Sequence, residues 1–150
     1  MPVEECYAMW EDRTRIPTWM PWIHSVEVQE KDPKLSKWVL KTTQFDRDWE
    51  FAWMAQNMAP IPLQKIHWRS VPGTVQGSLG SGIEVPNRGQ IRFARLSAAQ
   101  TRVTLTISYE LPSVLSFVGS GLSPLVERLL LEDMKRFKAL AEKRDAGVSA

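Results

Sequence analysis

The stretch TRVTLTISYEL, residues 101 to 111, alternates apolar and polar side chains over its whole length. One side carries Val103, Leu105, Ile107, Tyr109 and Leu111. The other side carries arginine, threonine, serine and glutamate. Such alternation is typical of an antiparallel strand with one covered and one solvated face. The segment therefore predicts a sheet that buries one of its sides.

The same pattern recurs upstream and predicts further antiparallel strands. They cover residues 22–29, a segment around Trp38 and Leu40, and residues 47–56, 64–70 and 89–96. In the first of them, Trp22, His24, Val26 and Val28 are predicted to share a face. Residues 31–34 predict a turn, and the Gly/Ser-rich residues 73–82 predict a loop between strands.

Helical spacing appears only at the two ends of the chain. Residues 3–12 predict a short helix with Cys6, Tyr7 and Trp10 on one side, after which prolines allow at most one more turn. At the other end, Ser123 and Pro124 are a favourable N-cap and first helical residue. An apolar stripe then continues to about residue 141, and residues 142–150 are expected to be a frayed tail.

This order of elements predicts an α+β fold. One curved antiparallel sheet of about six strands would wrap on a long C-terminal helix, with short helices before it. At 150 residues and 17.2 kDa, the chain is expected to be a single domain with its core over about residues 2–141.

Composition argues against several classes of protein. The net charge of +2 is too small to indicate nucleic-acid binding, and a single cysteine allows no intramolecular disulfide. The first residues show no secretory signal, and no run of about 18 apolar residues predicts a membrane span. Two histidines and one cysteine lack metal-ligand spacing, and no phosphate-loop or dinucleotide motif suggests a cofactor.

Several motifs together resemble a known family. They are W-x-D-x₄-P-x-W-M-x-W-I-x-S-V from Trp10 to Val26, LSKWVL at 35–40, FAW at 51–53, IHWRSV at 66–71, PNRGQIRF at 86–93, VTLTISYELP and the closing LEDMKRFKALAE. The chain resembles the START-like, helix-grip superfamily, in its branch of polyketide cyclases/dehydrases and coenzyme-Q-binding START domains of cyanobacterial and plastid type. The likeness covers about residues 2–141, nearly the whole sequence.

The resemblance implies an apolar cavity between the sheet and the C-terminal helix. It also implies that the chain lacks the strand that precedes the first helix in this family, which would leave one sheet edge unpaired. A cytoplasmic location would be expected for a bacterial protein, and a plastid location for one from a photosynthetic eukaryote.

An aromatic set on the predicted inner face is the candidate wall of that cavity. Its members are Trp22, Trp38, Phe51, Trp53, Trp68, Phe93 and Tyr109. The alternative is that these rings simply fill the space beneath the helix. The candidate mouth comprises Trp19, Met20, His24, Leu115, Phe117 and Val118. The uncharged segment 111–126 is interpreted either as a buried connector or as a gate that touches a membrane surface.

The leading hypothesis is non-covalent binding or transport of a prenyl-quinone, lipid or pigment-like molecule. Two alternatives remain: a polyketide cyclase or dehydratase, and a ligand-free interaction module. No catalytic residue is assigned, since the inward candidates His24, Tyr109 and Arg95 have no acidic partner. Four arginines, Arg88, Arg92, Arg95 and Arg102, are interpreted as a solvated sheet face, without nucleic acid as partner. The oligomeric state is left open.

Overall fold

The computed structural model describes residues 1–44, 46–77, 85–110 and 119–149. Its elements, in chain order, are α1 (Val3–Glu11), a 3₁₀ helix (Arg13–Thr18), β1 (Ile23–Val28), β2 (Leu35–Gln44), β3 (Arg47–Asn57), β4 (Lys65–Ser70), β5 (Gln76–Gly77), β6 (Asn87–Ser97), β7 (Gln100–Tyr109) and α2 (Gly119–Ser149). The predicted α+β order is confirmed: an antiparallel sheet lies between short N-terminal helices and one long C-terminal helix.

The sheet runs in the order β1-β2-β3-β4-β6-β7, and all its pairings are antiparallel. The short β5 pairs with β3 at Phe51 and Ala52, further along the edge that β3 also offers to β4. This strand falls inside the segment predicted to be a loop. Two residues of ladder give almost no sequence signal, because a period of two needs about four to eight residues to be visible.

One face of the sheet is buried along the register. Ala55 and Ile91 are fully buried, and Ile66 and Trp68 are nearly so. Ile66 pairs with Ile91, which in turn pairs with Leu105, so the inner row crosses three strands. Phe137 and Ala141 of α2 belong to the same core, so the helix covers this inner face.

The predicted face of the first strand is wrong at His24. A β-bulge shifts the register between Ile23 and Ser25, so that Ile23 and Val26 are buried while His24 is exposed. A bulge adds one residue to one strand and breaks the strict period of two. Alternation alone therefore placed His24 with Val26 on the inner side.

The predicted limits of the last helix are also wrong. α2 begins at Gly119, so Ser123 and Pro124 lie inside it, and it continues to Ser149 through the expected tail. Glycines at 119 and 121 suggested a mobile connector, and Pro124 suggested a helix start. Pro124 is the sixth residue of α2 and lies beyond its first turn, so it has no N–H to donate within the helix. None of the helices in the described ranges has the length and hydropathy needed to cross a bilayer.

Candidate functional site

Three tryptophans form a stacked row on the inner face. Trp38 of β2 lies opposite Trp53 of β3, with ring centroids 6.4 Å apart and planes inclined by 19°. Trp38 also stacks on Trp68 of β4 at 5.8 Å, again with 19° between the planes. The row therefore gives the sheet a flat aromatic surface that spans three strands.

A buried polar chain holds the central ring of this row. The indole nitrogen of Trp38 donates to Ser36 Oγ at 2.9 Å, and Ser36 is fully buried. Arg13 donates to the same Oγ at 3.2 Å and to Asn57 Oδ1 at 3.3 Å, and it also reaches the carbonyl oxygen of Pro33. Partial burial lowers the pKa of the Arg13 guanidinium. The hydrogen bonds fix the orientation of the Trp38 ring.

Gly89 leaves the room that Trp68 occupies. A Cβ added at Gly89 would lie 2.4 Å from Cζ2 of Trp68 and 3.0 Å from Cδ1 of Ile107. Gly89 is also the register partner of Trp68 across β4 and β6. The absence of a side chain at this position is what lets the indole lie flat against the neighbouring strand.

One end of the space between sheet and helix is closed by aromatic packing. Trp10, Trp19 and Phe137 contact one another with ring centroids 5.0 to 5.2 Å apart. Tyr7 packs edge-on against Phe93 at 5.4 Å. The indole nitrogens of Trp10 and Trp19 are buried and have no hydrogen-bond partner among the described residues. Aromatic rings therefore fill this end of the fold.

The opposite end is polar and open. The hydroxyl of Tyr109 lies 3.0 Å from Ser123 Oγ and joins the end of β7 to the first turns of α2. A cavity of about 670 Å³ opens beside it. Its apolar lining is Val71, Pro72, Val75, Val85 and Pro86. Its polar lining comprises Ser70, Asn87 and Glu110, together with four residues that the register places on the outer face of the sheet: Gln56, Arg69, Arg88 and Ser108.

A buried carboxylate lies between these two ends. Asp133 of α2 is fully buried and accepts hydrogen bonds from the indole nitrogen of Trp22 at 2.5 Å and from Arg136 at 2.6 Å. Arg136 also donates to the carbonyl oxygen of Trp19 at 3.1 Å. Burial raises the pKa of the Asp133 carboxyl, and the two hydrogen bonds oppose that effect.

Asp133 is the residue that sequence reasoning missed. The sequence analysis assigned no acidic partner to the inward candidates and did not consider Asp133, which lies on the apolar stripe of α2, four positions before the buried Phe137. The helical spacing places Asp133 among the apolar residues of α2, but an aspartate carboxyl is rarely buried unless it is paired. The burial of Asp133 depends on its partners Trp22 and Arg136, which only the structure identifies.

The predicted wall residues differ in how deeply they lie. Trp38, Trp68 and Phe93 are buried, while Trp22, Phe51, Trp53 and Tyr109 are half-buried. Phe51 also stacks on Trp49 at 6.1 Å. The half-buried members are the ones that a molecule between sheet and helix could reach. Their role in binding stays a prediction.

Of the predicted mouth residues that the structure describes, His24 lies apart from Trp19 and Met20. Trp19 and Met20 are 1% and 4% exposed and belong to the core at the closed end. His24 is exposed on the other side of its strand. Leu115, Phe117 and Val118 lie outside the described residues. The cavity of about 670 Å³ is lined instead by the ends of β3, β4, β6 and β7 and by loop residues next to them.

Nucleophilic and metal-dependent chemistry gain no support from the described side chains. Cys6 is buried, and burial raises the pKa of its thiol, which disfavours the reactive thiolate. No group of three or more His, Cys, Asp or Glu side chains suitable for a metal ion occurs within the described ranges. A ring nitrogen of His67 lies 3.2 Å from the carbonyl oxygen of Ala59.

Comparison with known proteins gives the same architecture and a family. A protein from Deinococcus radiodurans is 28% identical, with a TM-score of 0.67 over 95% of this chain and 89% of its own. The Zhui aromatase/cyclase from a Streptomyces species is 17% identical, with a TM-score of 0.69 over 95% of this chain and 88% of its own. A START superfamily protein from Mycobacterium smegmatis is 16% identical, with a TM-score of 0.56 over 98% and 91%.

The two structures below 25% identity show likeness of fold alone. No curated protein matches the chain at a significant level. The family model described as polyketide cyclase/dehydrase and lipid transport matches residues 1–138, which is most of the sequence. The aromatic inner face, the covering helix and this match agree, and the chain belongs to the polyketide cyclase/dehydrase and lipid transport family.

Proposed function

We propose that this protein binds a hydrophobic small molecule non-covalently between the inner face of the sheet and α2. The observation that carries the proposal is the incomplete burial of apolar side chains on both sides of that space. On the sheet these are Trp22, Trp53, Val103, Leu105 and Ile107, and on α2 they are Leu130, Met134 and Leu140.

The register explains why this partial exposure is informative. Val103, Leu105 and Ile107 lie opposite Phe93, Ile91 and Gly89, all of which are buried. They therefore belong to the inner face, on the edge strand β7, and their partial exposure leaves apolar surface that a ligand could cover. A ligand that covered them would gain roughly 25 cal/mol for each Å² of apolar surface removed from water, before ordering costs.

The two ends of the space favour an amphipathic ligand. The end formed by Trp10, Trp19 and Phe137 is filled by aromatic rings, whereas Tyr109, Ser123 and Asn87 bring hydroxyl and amide groups to the other end. A long apolar body with a small polar head would match this gradient. Prenyl-quinones, lipids and pigment-like molecules are the classes we propose, and the lipid-transport part of the family description supports them.

The experiment is native mass spectrometry of protein purified from its own host, with organic extraction of what co-purifies. A stoichiometric hydrophobic compound is expected, and readdition of that compound should quench tryptophan fluorescence. Protein that is empty as isolated, and that shows no quenching with prenyl-quinones, lipids or pigments, would contradict the proposal.

A pair of variants tests whether the space is open. Leu105→Phe enlarges a half-buried residue, and Ile91→Phe enlarges its fully buried register partner. Overpacking a filled core costs about 1–3 kcal/mol. We expect that cost for Ile91→Phe, but for Leu105→Phe we expect near-native stability with weakened ligand binding. Equal destabilisation by both variants would favour the ligand-free interaction module.

A second candidate function is cyclisation or dehydration of a polyketide-like substrate. Asp133 favours it, since a buried carboxyl with a raised pKa is a suitable general acid. However, both of its oxygens already accept hydrogen bonds from Trp22 and Arg136. If the protein turns over the co-purified compound, and Asp133→Asn loses that turnover while still binding the compound, the protein is an enzyme. Binding without turnover would support the carrier function instead.

A further inference from the structure

Three cations surround a small depression at one end of the outer sheet surface. Lys65 and Arg92 are register partners across β4 and β6, and Arg102 projects from β7 opposite Ala94. Together they line a cavity of about 260 Å³, here called the basic depression, with Ile61 and Thr104. None of the three forms an ion pair with a described residue. Clustered cations without counter-ions attract an anionic partner.

The surrounding sequence keeps this region positive. From residue 51 to residue 109 the only carboxylate is Glu84. The same stretch contains six basic residues, Lys65, Arg69, Arg88, Arg92, Arg95 and Arg102. The whole chain carries 19 basic and 17 acidic residues, so its charges are nearly balanced but unevenly distributed. A sheet face that was only solvated would not require basic residues to be separated from acidic ones in this way.

Exposed aliphatic side chains flank the basic depression. Ile61 and Leu63, in the turn before β4, are 47% and 38% exposed, and Leu96 at the end of β6 is 53% exposed. The backbone N–H of Phe93 donates to the carbonyl oxygen of Gln64 at 2.9 Å, which extends the β4–β6 pairing into that turn. The turn consequently lies alongside the last residues of β6.

Leu63 adopts a conformation that its side chain disfavours. Its φ of 62° is in the left-handed region, where a leucine is uncommon and glycine or asparagine is preferred. The side chain gains little burial in return, since it is more than one-third exposed. Retaining an exposed leucine in a strained position is a reason to seek a function for it.

We propose that this end of the sheet docks on an anionic lipid bilayer. Lys65, Arg92 and Arg102 would contact lipid phosphates, while Ile61, Leu63 and Leu96 would insert shallowly among the acyl chains. Pro60 and Pro62 stiffen the turn that presents the first two. A nucleic acid fits less well, because the large apolar side chains exposed in the described ranges are all aliphatic and offer no ring for base stacking.

The docking surface lies outside the space between sheet and α2, so this proposal does not depend on the proposed ligand. Its test is flotation of the full chain with vesicles of phosphatidylcholine alone and of equal parts phosphatidylcholine and phosphatidylglycerol. Wild-type protein is expected to float only with the anionic vesicles, and less so as salt is added. Ligand binding in vesicle-free solution is measured separately, so that the failure of either proposal can be recognised.

Two variants address the two halves of the surface. Arg92→Gln/Arg102→Gln should weaken vesicle affinity about fivefold for each charge removed, the factor for about 1 kcal/mol per basic residue near an anionic surface. Leu63→Asn should weaken it several-fold while keeping the fold, because asparagine tolerates the left-handed region. The matched variant Lys135→Gln/Lys138→Gln removes two exposed charges from α2 and should bind like wild type.

Three results would overturn the proposal. One is the absence of wild-type flotation with anionic vesicles, and another is equal weakening by the α2 variant. The third is a site for free anions or nucleic acid. In that case inorganic phosphate would bind at Arg92, or an oligonucleotide would bind to the protein, without any vesicle binding. Circular dichroism of each variant establishes that a loss of flotation is not a loss of fold.

Discussion

At the scale of single residues, the inner face depends on which positions lack a side chain as much as on the tryptophans. Trp68 lies flat because Gly89, its partner on β6, has no Cβ. Trp38 keeps its orientation because the buried Ser36 accepts its indole N–H. A stacked row of rings therefore requires small neighbours at defined register positions, and those neighbours carry no aromatic signal of their own.

Gly89→Ala is expected to destabilise the protein by about 1–3 kcal/mol, since the new methyl group overlaps the Trp68 ring. Chemical denaturation measures the free energy of unfolding, and near-ultraviolet circular dichroism reports the displaced indole. The comparison variant is Gly147→Ala in α2, where an added Cβ meets nothing within 4 Å. It should be neutral or slightly stabilising. Equal effects of the two substitutions would contradict the role given to Gly89.

At the scale of elements, α2 is attached to the fold most firmly at one end. Phe137 packs against Trp10 and Trp19, and Ala141 is buried beside them, while Leu130 and Met134 nearer the open end remain partly exposed. The helix is thus anchored by its second half and covers the candidate ligand space with its first. Such an arrangement allows an entrance without loss of the core.

Removing the anchoring ring should therefore be costly. Phe137→Ala is expected to lower the free energy of unfolding by about 3–5 kcal/mol, because it leaves a cavity beside Trp10 and Trp19, the two rings that Phe137 contacts. Leu131→Ala, at a site 56% exposed on the same helix, should change it by less than about 0.5 kcal/mol. Urea denaturation measures both. A Phe137→Ala effect no larger than that of Leu131→Ala would mean that α2 is not held at this end.

At the scale of the whole molecule, one buried carboxyl should leave a mark on stability as a function of pH. The pKa of Asp133 is raised by burial above the ordinary carboxyl value of about 3.9. At pH values between the ordinary and the raised pKa, the folded protein binds more protons than the unfolded chain. Asp133 therefore makes the free energy of unfolding fall as pH rises. Its contribution is most favourable at low pH and is lost through the raised pKa.

The measurement is the free energy of unfolding of wild type and Asp133→Asn across the acidic range. The wild type should lose stability relative to the variant as pH increases from about 4. Glu132→Gln removes an exposed carboxyl one position away and should not reproduce the effect. A constant difference between wild type and Asp133→Asn at every pH would show that Asp133 titrates alike in the folded and unfolded protein.

The sequence allowed most of the fold to be predicted but less of the candidate site. Alternation gave β3, β4, β6 and β7 nearly to their ends, because long strands with one buried face repeat the same signal many times. It failed for His24, where a single bulge reverses the face, and for β5, which is too short to show a period. Asp133 escaped because its burial depends on partners far away in the chain.

What the sequence by itself determined is the fold and the family: the order of elements, the apolar inner face and the motifs all follow from local periodicity and residue type. What only the tertiary structure decided is which of those apolar residues are covered. Trp19 is buried at the aromatic end, Trp53 stays half-buried on the inner face, and Ile61 is exposed in a depression that cations also line. The physical reason is that local pattern selects a face, whereas exposure depends on how closely distant elements approach that face.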